Sequence, residues 1–142
     1  MRCKVGRDAA AGFTLLQLLI AVVVMAILAA IAYPSYKLRI DAGRRADATT
    51  TLFDLANRMQ RYYTENNTFT GATIANVGAN ATSPQGYYTL TIPALAANTY
   101  TLQATRAGVQ AGDTRCGDLT LTSANVRGIT NNATGITWDQ CW

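Results

Sequence analysis

The sequence predicts an α+β fold, a long N-terminal helix packed on a C-terminal antiparallel β-sheet of about four strands. Three observations predict it. Residues 9–36 carry no charge, and residues 13–33 are nearly all Leu, Ile, Val, Ala and Met. Leu52, Leu55, Ala56, Met59, Tyr62 and Tyr63 then recur at spacings of three and four, which is one apolar face of an amphipathic helix. After a stretch rich in Gly, Ala, Asn and Thr (residues 68–85), short alternating runs follow, with the period of half-buried strands. A chain of 142 residues is long enough for one domain.

The helix is expected over residues 13–66. Its first half is apolar all round and its second half one-sided. About 20 apolar residues in a helix rise roughly 30 Å, the thickness of a bilayer core. Arg2, Lys4 and Arg7 precede the run, a bias that keeps an N-terminus cytoplasmic and places the bulk of the chain outside. A cleaved secretory signal is the alternative, but its apolar core is 7–15 residues long and ends in a small-residue cut site. This run is longer and has no clear site of that kind. Pro34 removes one helical hydrogen bond and is expected to interrupt and kink the axis. Lys37, Arg39, Asp41, Arg44 and Arg45 mark the exit into water, and Glu65-Asn66-Asn67 the end of the helix.

Strands are expected over residues 86–92, stopped by Pro93, and over residues 99–105, with a linker short enough for a hairpin. Residues 118–122 make a third strand and residues 135–138 a weaker fourth. A sheet with one face on the helix buries both apolar sides. Cys3 stands alone in the basic leader, while Cys116 and Cys141 form a pair near the C-terminus. Outside the cytoplasm such a pair is most simply a disulfide. It would close a loop of 24 intervening residues, with a contribution of roughly 3 kcal/mol; two buried free thiols are the other reading.

These features together resemble the type IV pilins. The resemblance runs along the whole chain. A short basic leader ends in Gly12, Phe13-Thr14-Leu15 follows, and Pro34 comes twenty-one residues after Phe13. The runs GFTL and ILAAIAYPSY carry most of the specificity, and RRADA, SPQGYYTL, AGDTRCGDLTL and the final Cys141-Trp142 look most like the PilE-like pilins. The resemblance implies the type IV pilin fold in three parts: a leader peptide (1–12), a transmembrane and filament-core helix (13–36) and a globular domain (37–142). It implies a prepilin peptidase that cuts between Gly12 and Phe13 and methylates the new amino terminus of Phe13. It also implies a precursor held in the lipid of the bacterial inner membrane. Assembly machinery would then move it into an extracellular filament with other pilin subunits, Gln17 and Pro34 lying in the assembly helix. The place of Gln17 is usually Glu in the family, where the carboxylate pairs with a neighbour's amino terminus. Gln17 has no charge to offer the Phe13 ammonium, so a minor or tip subunit stands beside the bulk subunit, and a secretion-system pseudopilin is the further alternative. Such filaments serve adhesion to host or abiotic surfaces, twitching motility or DNA uptake.

No catalytic constellation is visible. The chain has no His, which excludes a Ser-His-Asp or Cys-His arrangement and leaves too few ligands for a zinc site. No phosphate-cradling loop, dinucleotide fingerprint or C-x-x-C pair occurs. Neither an enzyme nor a cofactor or metal is expected. Asp41, Asp47 and Asp54 read as surface ion-pair partners, and Asp113 and Asp118 as solvated charges, with a calcium loop as the alternative at the latter two. The net charge is +4, and losing the leader's three cations and one carboxylate leaves +2. Arg44, Arg45, Arg58 and Arg61 are candidates for nucleic-acid contact, but three aspartates are interleaved with them. Arg106, Arg115 and Arg127 are the candidate DNA- or ligand-contact residues.

Overall fold

A computed structural model describes residues 13–142, so the leader, its Gly12 and Cys3 lie outside the described residues. The chain divides into two units, one ending at Lys37 and one spanning Leu38–Trp142. Helix α1 spans Leu15–Asn66. It starts two residues later than the apolar run because Thr14 caps it. Helical assignment continues through Pro34, without the interruption expected there. Asn67 ends the helix in a left-handed turn, φ 55°, its N–H bonded to the Tyr63 carbonyl at 2.7 Å.

Four strands follow: β1 (Tyr88–Leu95), β2 (Tyr100–Arg106), β3 (Asp118–Thr122) and β4 (Arg127–Thr130). They form one antiparallel meander in the order β1-β2-β3-β4. Leu90 faces Ala104, Leu102 faces Leu121 and Ala104 faces Leu119 across the ladders. These side chains and Tyr88 and Tyr100 point to one face. Ala48, Leu52, Leu55 and Met59 of α1 cover them, and Phe69 and Ala72 of the following loop close the margin. The helical face read from the sequence is therefore the face that makes the core.

Two strand expectations are corrected. β1 does not stop at Pro93 but runs through it, with a register shift between Thr91 and Ala94. It is an edge strand, where a missing N–H costs no ladder bond. The fourth strand is Arg127–Thr130, not residues 135–138. β4 shows no alternation and carries one large apolar residue, Ile129. What defines it is the turn before it, where Asn125 takes φ 59° and Thr122 N–H bonds the Val126 carbonyl at 3.0 Å. Within β4, a Cβ on Gly128 would lie 2.6 Å from Thr120 Oγ1, so a larger residue would have to push that side chain aside. Residues 135–138 instead lead into a short 3₁₀ turn, Trp138–Gln140.

The larger correction concerns the carboxylates. Asp113 and Asp118 are not solvated, nor are Asp41 and Asp47; all four are buried. Of the three helical aspartates, only Asp54 is an exposed ion-pair partner, 2.7 Å from Arg58. Arg45 of α1, itself buried, donates Nη1 to Asp113 Oδ2 at 2.7 Å. Gln110 is fully buried on the 3₁₀ turn Gly108–Gly112. Its Nε2 donates to Asp113 Oδ2 at 3.1 Å and to the Asp41 carbonyl at 3.3 Å. Asp113 Oδ1 accepts the Cys116 N–H at 3.3 Å. Cys116 is bonded to Cys141, S–S 2.03 Å. Helix, β2–β3 connection and C-terminal segment are thus joined through one carboxylate. Asp118 plays a parallel part at the sheet end, accepting Arg106 N–H at 3.1 Å and Asn131 Nδ2 at 2.8 Å.

Removing one partner of a buried ion pair leaves an uncompensated charge. Asp113→Asn is expected to cost about 3 kcal/mol in urea unfolding, and more than Asp54→Asn, whose partner is exposed. A second expectation concerns alkaline pH. Burial pushes the Tyr88 hydroxyl up to about 12; the Gln110 amide beside it lowers it, and the Asp113 carboxylate raises it. The folded state therefore favours the neutral phenol. Its contribution is whole below the ordinary tyrosine value near 10 and is lost as pH rises from there through about 12. Burial of Tyr100 acts in the same direction. Unfolding free energy measured from pH 9 to 12 should fall, and Tyr88→Phe should flatten that fall.

Candidate assembly helix and nucleic-acid interface

The first candidate site is the apolar part of α1. Among the described residues it is the one helix long and apolar enough to cross a membrane. Phe13, Leu15, Leu16, Ile20, Met25, Leu28 and Ile31 are all exposed in the isolated chain. A helix exposed and apolar all round needs lipid or other helices as its surroundings.

Gln17 has a structural task that the sequence reading missed. Thr14 N–H donates to Gln17 Oε1 at 3.0 Å, and Gln17 N–H donates to Thr14 Oγ1 at 3.3 Å. This is a reciprocal capping box, with Thr14 as N-cap and Gln17 three residues on. It satisfies two of the donors that a helix start leaves open. In an apolar medium an unmet N–H is costly. An amide oxygen meets it without bringing a charge into that medium. The signal was present as T-x-x-Q directly before an apolar run. Pro34 is followed by Ser35, whose Oγ donates to the Ala32 carbonyl at 2.9 Å.

The second candidate site is the arginine set of the globular unit. Arg106, Arg115 and Arg127 all reach the segment formed by residues 131–142, but in different states. Arg106 is committed to structure: Nη1 donates to the Asp113 carbonyl at 2.6 Å, Nη2 to the Asn131 carbonyl at 3.3 Å, and Nε lies 3.5 Å from Asp118. It is removed from the candidate contact set. Arg115 is exposed, with Nη2 3.4 Å from Gln140 Oε1. Arg127 is exposed and lies over the rings of Phe53 at 5.5 Å and Trp142 at 5.7 Å, leaving its charge free of any carboxylate at those contacts. The two rings meet edge to face at 5.9 Å, and Trp142 Nε1 donates to the Gly128 carbonyl at 2.9 Å.

Elsewhere, Arg44 lies over the Tyr87 ring at 5.1 Å. Arg58 and Arg61 line a polar groove of about 350 Å³ with Tyr62, Glu65 and Asn76. The burial of carboxylates changes the surface. From Leu38 onward the described residues hold seven carboxylates, of which four are buried, and eight arginines, of which only Arg45 is buried. The solvent-facing surface is more basic than the composition. No group of His, Cys or carboxylate side chains suited to a metal occurs among the described residues.

Comparison with known proteins bears on both sites. Residues 7–33 match the prokaryotic N-terminal methylation motif, and residues 34–120 match the family described as type IV minor pilin ComP, DNA uptake sequence receptor. The type IV wide pilus major component PilA4 of Thermus thermophilus is 32% identical over 102 residues, which is 70% of this chain and 76% of that protein. The non-core minor pilin PilV of Neisseria meningitidis shares the fold, with a TM-score of 0.53 and 24% identity over 67% of this chain and 93% of that one. The capped apolar helix, the four-stranded meander and these matches agree: the chain belongs to the ComP family of type IV minor pilins.

Proposed function

We propose that this pilus subunit captures DNA through its exposed arginines. The carrying observation is the asymmetry of burial. Folding hides Asp41, Asp47, Asp113 and Asp118 and leaves Arg61, Arg115 and Arg127 in solvent. Phosphate-backbone binding needs cations that are free of carboxylates. A weak basic surface gains when many copies are displayed on one filament. The description of the matched family as a DNA uptake sequence receptor supports the same reading. The role is one of structure and binding, with no catalytic step.

The route to the filament completes the reading. A prepilin peptidase cuts between Gly12 and Phe13, and the Phe13 amine is methylated. The apolar helix holds the subunit in the inner membrane until the assembly machinery packs it against other pilins, with Pro34 in the packed segment. The Thr14–Gln17 box lets the first turn enter both apolar environments with its donors met. A minor or tip position suits the neutral Gln17, which offers no carboxylate to a neighbour's ammonium.

Mass spectrometry of sheared filaments should find an N-terminal peptide that starts at Phe13 and carries one added methyl group; a peptide starting at Met1 in every fraction would remove the processing route. For DNA capture, the triple variant Arg61→Glu, Arg115→Glu, Arg127→Glu should bind duplex DNA at least tenfold more weakly and show a shallower dependence on salt. Subunit recovery in filaments should stay unchanged. Equal affinity and equal salt slope in the variant and the unaltered protein would end the DNA reading for these residues.

A further inference from the structure

We infer that Trp138, in the same short turn as Gln140 and the Arg115 bonded to it, forms a stacking platform for an unpaired base of single-stranded DNA. The inference rests on the DNA-capture reading and adds to it a chemical preference, bases over backbone, at a place away from the assembly helix.

The observation is an aromatic side chain without a task. From Leu38 onward, every other described aromatic residue is engaged. Phe53, Tyr63, Phe69, Tyr100 and Trp142 are in ring pairs. Tyr87 lies under Arg44, Tyr62 donates its hydroxyl to the Thr70 carbonyl, and Tyr88 is in the core. Trp138 has no such ring, cation or hydrogen-bond contact for its indole, and 47% of it is exposed.

The backbone that carries the ring is held in place. The Trp138 carbonyl accepts the N–H groups of Cys141 at 3.0 Å and Trp142 at 3.1 Å. Cys141 is tied by its disulfide to Cys116, which adjoins Arg115 in the chain. The Arg115 carbonyl accepts the Ala133 N–H at 3.1 Å. Asn132 Nδ2 bridges the carbonyls of Ala133 and Ile136, each at 3.1 Å. With the backbone fixed in advance, only the side-chain torsions of the indole are left to be ordered when a base stacks on it.

The neighbours fit a nucleotide. Arg115 spends one N–H on Gln140 Oε1 and keeps the rest of its five-donor fork for a phosphate. Gln140 offers an amide to a base edge. Aromatic stacking accepts any base, because every base has a π-face, whereas paired bases are already stacked inside the duplex. Asp139, the next residue in the chain, is exposed and repels phosphate on its side. A flexible single strand can pass Arg115 and avoid Asp139; a rigid duplex cannot bring a base to the indole.

The test uses the full chain in detergent and three labelled oligonucleotides of equal length: single-stranded, single-stranded abasic, and duplex. Trp138→Ala should weaken single-strand binding about tenfold, the scale of one base–aromatic contact. Trp138→Phe should restore most of it, and the abasic and duplex affinities should not move. Unchanged single-strand affinity in Trp138→Ala overturns the inference, as does an equal loss on all three probes. If the unaltered protein binds none of the three, DNA capture itself fails. If it binds duplex and abasic strands but gains nothing from bases, only the platform fails. If Trp138→Ala binds DNA normally but disappears from sheared filaments, Trp138 is a contact between subunits and the inference is overturned.

Discussion

The globular unit depends on the charge of Asp113 being met inside the protein. Its two oxygens take the Arg45 guanidinium from the helix, the Gln110 amide from the β2–β3 connection and the backbone of Cys116. Without Arg45 the carboxylate would face a desolvation cost that neutral donors alone do not offset. With it, the loop between β2 and β3 has one place to sit, and the disulfide begins from that place. The C-terminal segment, with Trp138 and Trp142, is positioned at second hand by the same pair. The fold thus uses an ion pair less as glue than as an address, a use for which a hydrophobic substitute would give no direction.

The apolar helix obeys a different constraint. It has no core of its own to bury against, so its backbone must be satisfied locally before anything else binds it. Gln17 and Thr14 achieve this at the first turn. The two halves of α1 therefore illustrate two solutions to one problem, polar groups in dry surroundings: a neutral reciprocal cap in one, a fully partnered charge in the other.

Much of this was legible in the sequence, and the reason is periodicity. The long helix, its core face of Leu52, Leu55 and Met59, the β1–β2 hairpin and β3 all follow from spacing, and the pairing of Cys116 with Cys141 from compartment and count. β4 was not legible, because four residues that include a glycine carry no alternation. The buried aspartates were not legible either. Nothing local distinguishes Asp113 from a loop charge; its partner Arg45 lies 68 residues away. The commitment of Arg106 was hidden in the same way, and it looked as free as Arg115 and Arg127. Gln17 was noticed for the charge it lacks, and the hydrogen bond it makes was readable three residues upstream.

The edges of the sheet have a consequence for subunits at close quarters. β1 carries Pro93 and a register shift, and part of its outer side is already bridged by Thr82 to Thr89. β4 is only four residues long, and the Trp142 indole occupies its Gly128 carbonyl. Neither edge offers a long free row of donors and acceptors to another chain. A pool of subunits waiting side by side can therefore reach high local density without their sheets fusing into cross-β aggregates.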